Sequence, residues 1–144
     1  MEYIDMTFPA DAQPSRELDG VLHRLLVGPA TFLPRRPPIV DGGGVVMPYT
    51  ANLEAAATLF DGKLPPAQWR MLRAWDHDEV EIGLTDQTCI RMRCPRGHAA
   101  LALCLLILAA MRIAQGLEDW DAFLADLFET ARDVEKRRHV QKIA

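Results

Sequence analysis

The chain has 144 residues, 49% of them apolar and 25% charged, with 16 basic against 20 acidic side chains and a formal net charge of −4. That length and composition fit one globular domain with a real core and exclude general disorder; the mildly acidic balance provides no long-range attraction for nucleic acid or an anionic membrane. Three cysteines, Cys89, Cys94 and Cys104, are too few and odd in number for a disulfide framework, so free thiols in a reducing, cytoplasmic setting are expected.

Residues 1–14 carry Pro9 and Pro14 and no clear period, which predicts a loosely held N-terminal arm; the acidic start at Glu2 and Asp5 is unlike a signal peptide. Over 15–27, Leu18, Val21, Leu22, Leu25 and Leu26 recur at the spacing of an amphipathic helix, closed by Gly28-Pro29. Five prolines punctuate 28–48, and Ile39-Val40 and Val45-Val46-Met47 around Asp41-Gly42-Gly43-Gly44 suggest a small hairpin, with a loop as the alternative. A helix over 50–60 places Leu53, Ala56, Ala57 and Phe60 on one face, with Thr50 as its N-cap.

Three strands are predicted next, at 68–75, 79–84 and 88–93, where apolar side chains alternate with polar ones. The last two define a hairpin register. Pairing Ile82 with Ile90 and Val80 with Met92 also sets Glu81 opposite Arg91 and Glu79 opposite Arg93, and each opposed unlike pair favours the register by a few tenths to about 1 kcal/mol. A slip of one residue would send one apolar set to the wrong face. The loop is 85–87, or five residues in the same register. Residues 98–115 read as a helix apolar all round, ended by Gly116; the run 99–111 falls short of the roughly 20 residues of a membrane span and is read as buried. A final helix over 119–137, within a C-terminal extension 117–144, carries Trp120, Phe123, Leu124, Leu127, Phe128 and Ala131 on one stripe.

The segments Ser15-Arg16-Glu17-Leu18-Asp19 and Pro48-Tyr49-Thr50-Ala51-Asn52-Leu53-Glu54-Ala55-Ala56-Ala57 have a family look. So does the hairpin running into Ala99-Ala100-Leu101-Ala102-Leu103-Cys104. Together, over 15–26 and 48–112, they resemble the phage ABA sandwich domain proteins, small phage and prophage proteins. The resemblance implies α/β/α layering, a viral or prophage origin and, with it, a bacterial host cytoplasm. It carries over no catalytic residue, because the shared pattern consists of packing positions. The polar Cys94-Pro95-Arg96-Gly97-His98 and the helix after Gly116 depart from it.

Several groups tempt a chemical reading. Cys89, Cys94 and His98, with His77, could ligate zinc, but the spacing is irregular and the two cysteines fall on opposite sides of a strand. Cys94 precedes a helix N-terminus beside Arg93, Arg96 and His98, a setting that can activate a thiol. Asp76-His77-Asp78-Glu79 could hold a cation, although a tight turn favours such residues anyway. Arg35-Arg36 and Lys136-Arg137-Arg138 are short basic clusters without an aromatic platform, so nucleic-acid binding is a weak third reading. Asp41-Gly42-Gly43-Gly44 lacks the Lys-Ser/Thr of a phosphate loop.

The sequence therefore predicts a single α+β domain, a layered α/β/α sandwich with a small antiparallel sheet of three to five strands. It predicts no enzyme, metal or cofactor, and no membrane contact. The expected role is a phage or prophage-type accessory module acting by protein interaction. A homodimer or another protein would dock on the stripe of Trp120, Phe123, Leu124, Leu127 and Phe128. The rival is a thiol- or metal-dependent protein centred on Cys94 and His98.

Overall fold

Alternation of apolar and charged side chains dictates a sheet with one dry and one wet face. The computed structural model describes residues 2–26, 46–60, 69–114, 116 and 120–143, and within them the sheet has four strands. These are β1 (Glu2–Thr7), β2 (Trp69–Arg73), β3 (Asp78–Gly83) and β4 (Thr88–Cys94), in the order β1-β4-β3-β2. Ile82 pairs with Ile90, Val80 with Met92, Glu81 with Arg91 and Glu79 with Arg93, the register expected from the sequence. Pairing continues to Gly83 opposite Cys89, and the Leu84 N–H donates to the Thr88 carbonyl at 2.9 Å, so the connection is the three-residue form, 85–87. The Thr85 hydroxyl accepts from the Gln87 and Thr88 N–H groups, which holds this turn without glycine.

The four described helices are α1 (Arg16–Leu26), α2 (Leu53–Phe60), α3 (Ala99–Ala114) and α4 (Trp120–Ile143). With the mixed sheet they make the fold α+β, as expected. Every residue of α3 from Ala99 to Ala110 is buried. One side of α3 lies on β3 and β4 and another on α2, which is why its apolar residues run all round. Leu101, Leu103, Leu105, Leu106 and Ile107 are fully buried, each contributing about 1.5–3 kcal/mol relative to exposure. Gly116, with φ of +74°, takes the left-handed conformation that ends such a helix.

Several expectations are corrected. Residues 1–14 are not simply a loose arm: Ile4 and Met6 alternate with Tyr3, Asp5 and Thr7, and β1 pairs in parallel with β4, with Ile4 beside Ile90 and Met6 beside Met92. The sheet is thus mixed rather than antiparallel. Its dry face is covered by α3, with α2 packed beyond α3; the other face, which carries Asp5, Arg70, Glu79, Glu81, Arg91 and Arg93, stays open among the described residues. Thr50 is not the cap of α2. Asn52 is, its Oδ1 accepting from the Ala55 N–H at 3.0 Å. In the C-terminal extension, Leu124, Leu127 and Ala131 belong to the common core and α4 packs on α1. The suggested hairpin around 39–47 lies almost wholly outside the described residues.

Candidate functional site

The open face of the sheet is built from the residues that alternation turns away from α3. Cross-strand partners form rows. In one row stand Asp5, Arg91, Glu81 and Arg70; in the next stand Thr7, Arg93, Glu79 and Leu72. Charge alternates across the first row from strand to strand. Arg70 Nε donates to Glu81 Oε2 at 2.6 Å, and Arg91 Nε is ion-paired with Asp5 and lies 3.8 Å from Glu79 Oε1. Arg91 was expected to be neutralised by Glu81. The addition of β1 sets Asp5 beside it instead, and Arg70 takes Glu81 from the other side. The Arg91 guanidinium also lies 4.6 Å above the Tyr3 ring centroid, within cation–π range. It holds the Asp5 carboxyl below the usual range, and Asp5 and Glu81 in turn raise Arg91 and Arg70.

Exposure grades outward along this face. The Glu81 side chain keeps 7% of its surface, covered by its neighbours, whereas the edge side chains Asp5 and Arg70 keep 70% and 62%. Tyr3 and Leu72 are also exposed, and Trp75, in the turn after β2, is 86% exposed. A wet, charge-paired sheet face can bind by complementary charge and shape.

The chemical candidates lie elsewhere. Cys94 is buried on the dry side, its thiol donating to the Asp78 carbonyl at 3.6 Å, and burial pushes its pKa up to about 11. Cys89 is on the opposite face, also buried and also shifted up. His98 lies against Phe8, with ring centroids 6.1 Å apart. His77 is bonded to Asp76 at 2.7 Å. Among the described residues, no three His, Cys, Asp or Glu side chains gather as a metal-holding group. The acidic turn is divided rather than clustered: Asp78 is fully buried, 3.4 Å from Arg73 and accepting from the Gly97 N–H at 3.0 Å, while Asp76 stays exposed.

The stripe on α4 is largely used inside the chain. Leu124 and Leu127 are buried, and Trp120, Phe123 and Phe128 are half-buried against the core. Arg112 of α3 stacks on Phe123 at 4.2 Å from the ring centroid, and Trp120 stacks on Phe123. Lys136 is exposed; Arg35-Arg36, Asp41-Gly44 and the side chains of Arg137 and Arg138 lie outside the described residues.

A buried polar network joins α1 to the turn before α2. Asp19 Oδ1 accepts from both the N–H and the hydroxyl of Thr50 at 2.8 Å, and Asp19 Oδ2 accepts from Arg16 at 3.0 Å. Arg16 also donates to the Val46 carbonyl, and His23 Nδ1 and the Tyr49 hydroxyl share a 2.6 Å hydrogen bond. Asp19, His23, Tyr49 and Thr50 are all at most 2% exposed. None of these was singled out as a site from the sequence. The available signal was Asp19 and His23 one turn apart on the buried side of α1. The network brings together the two separate segments, 15–19 and 48–50, on which the family resemblance begins. No family model, curated protein or solved structure matches this chain.

Proposed function

We propose that this protein works by contact, as a non-enzymatic interaction module of the phage or prophage accessory type. The supporting observation is the division of its side chains. The thiols are enclosed, with Cys94 buried and held neutral, while the open sheet face displays paired charges to solvent. A thiolate is the nucleophile in thiol chemistry, so a thiol raised to about 11 is inert near neutral pH. The prophage kinship rests on the quoted motifs; phage structural or lysogeny genes beside this one would support it.

Iodoacetamide labelling, followed residue by residue by mass spectrometry, tests the contact reading against its rival. At pH 7 Cys94 is expected to react far more slowly than a free thiol, with the rate rising about tenfold per pH unit towards pH 11. Labelling of native protein at pH 7 as fast as a free cysteine would return the thiol reading to first place.

A further inference from the structure

Resting on that contact reading, we infer that the open sheet face seats a second copy of this chain, on a two-fold axis that runs along the strands between β3 and β4. Across the sheet the columns run negative at Asp5, positive at Arg91 and Arg93, negative at Glu79 and Glu81, and positive at Arg70. Four columns of alternating sign invert when the sheet is reversed from edge to edge. The strand-parallel two-fold performs that reversal: it lays β4 over the partner copy's β3 and β1 over its β2. Arg91 then opposes Glu81 of the other copy, and Asp5 opposes Arg70.

The other in-plane two-fold, across the strands, lays each column over itself and opposes arginine to arginine. One face-to-face arrangement is therefore complementary and the other self-repelling, which is how charge patterns select orientation. The six charges sum to zero, so copies meet without local repulsion. Exposed Tyr3 and Leu72 add apolar area to the same face. Strands about 4.8 Å apart, with a rise of about 3.3 Å per residue, give roughly 400 Å² per partner. That is about half of a standard interface, so the pair is a weak and reversible one.

Sedimentation equilibrium at about 0.01 M ionic strength, where screening extends over about 30 Å, tests the inference. Wild-type protein is expected to self-associate there and to weaken severalfold at about 0.15 M. Asp5→Arg and Arg70→Glu alter exposed edge positions. Each alone opposes like charges across the two-fold and is expected to weaken association about tenfold or more. An equimolar mixture of the two restores both opposed pairs and is expected to re-form the dimer. In a separate variant, Thr7→Cys with Leu72→Cys, oxidation is expected to give a covalent dimer, because those exposed positions oppose each other across the same axis. Wild-type protein that stays monomeric, a dimer indifferent to both variants, a mixture that fails to re-associate, or no cross-link would each overturn the inference. The contact reading would survive such a result, since it falls on the labelling of Cys94 alone.

Discussion

Removing the Asp19 carboxylate tests whether the buried network, and not only apolar packing, fastens α1 to the turn before α2. In Asp19→Ala the Thr50 N–H loses its acceptor in a site where both residues are 1% exposed. An unsatisfied buried donor costs about 1–3 kcal/mol. The Thr50 hydroxyl keeps an alternative in the Ser15 carbonyl at 3.2 Å, and Arg16, 44% exposed, can turn to water, so neither adds much. With the small void left behind, a loss of about 2–4 kcal/mol is expected. Asp19→Asn retains one acceptor oxygen and should lose about half of that. Thr50→Val removes the hydroxyl while keeping the N–H, and its loss should be near 1 kcal/mol. Urea unfolding with unchanged slopes measures all three, and the Asp19→Asn/Thr50→Val double variant should show coupling of at least about 0.5 kcal/mol. A loss under about 0.5 kcal/mol for Asp19→Ala would refute the reasoning. It would mean that water or another side chain satisfies Thr50 at no cost.

Two further substitutions probe the frame. Ile90→Ala, at the centre of β4 with no exposed surface, should cost about 2–5 kcal/mol in urea unfolding; a loss below 1 kcal/mol would contradict its place in the core. Gly116→Ala should cost about 1 kcal/mol through the backbone alone, since φ is +74° and a Cβ would meet no atom within 4 Å. Gly116→Asn should cost less, and equal stability of the alanine variant would argue against the left-handed cap.

The hairpin β3–β4 was legible because two independent patterns, apolar alternation and charge opposition, select one register. β1 was not. Its alternating Ile4 and Met6 are present in the sequence, but its partner β4 lies more than 80 residues away, and a parallel neighbour leaves no turn signature. Thr50 looked like a cap because it stands just before an apolar run; its hydroxyl instead serves Asp19, a residue that periodicity assigned to no role. The stripe on α4 was read correctly as apolar. What covers it was not readable, because a period shows that a face is buried without naming its neighbour, and α1 and α3 supply that cover.

The polar segment 94–98 shows how a suspicious cluster can be an architectural joint. β4 must hand over to α3 within four residues, beside the turn that joins β2 to β3. Gly97, at φ of +89°, makes the sharp bend, and its N–H reaches the buried carboxylate of Asp78. Arg96 donates to the Trp75 carbonyl at 3.1 Å, and the Cys94 thiol points to the Asp78 carbonyl. Cys94, Arg96 and Gly97 thus tie this joint to the turn between β2 and β3. The open sheet face, by contrast, displays charges of both signs to solvent. Those signs alternate from strand to strand, so the face sums to no net charge and any binding on it depends on the order of its charges rather than on their total.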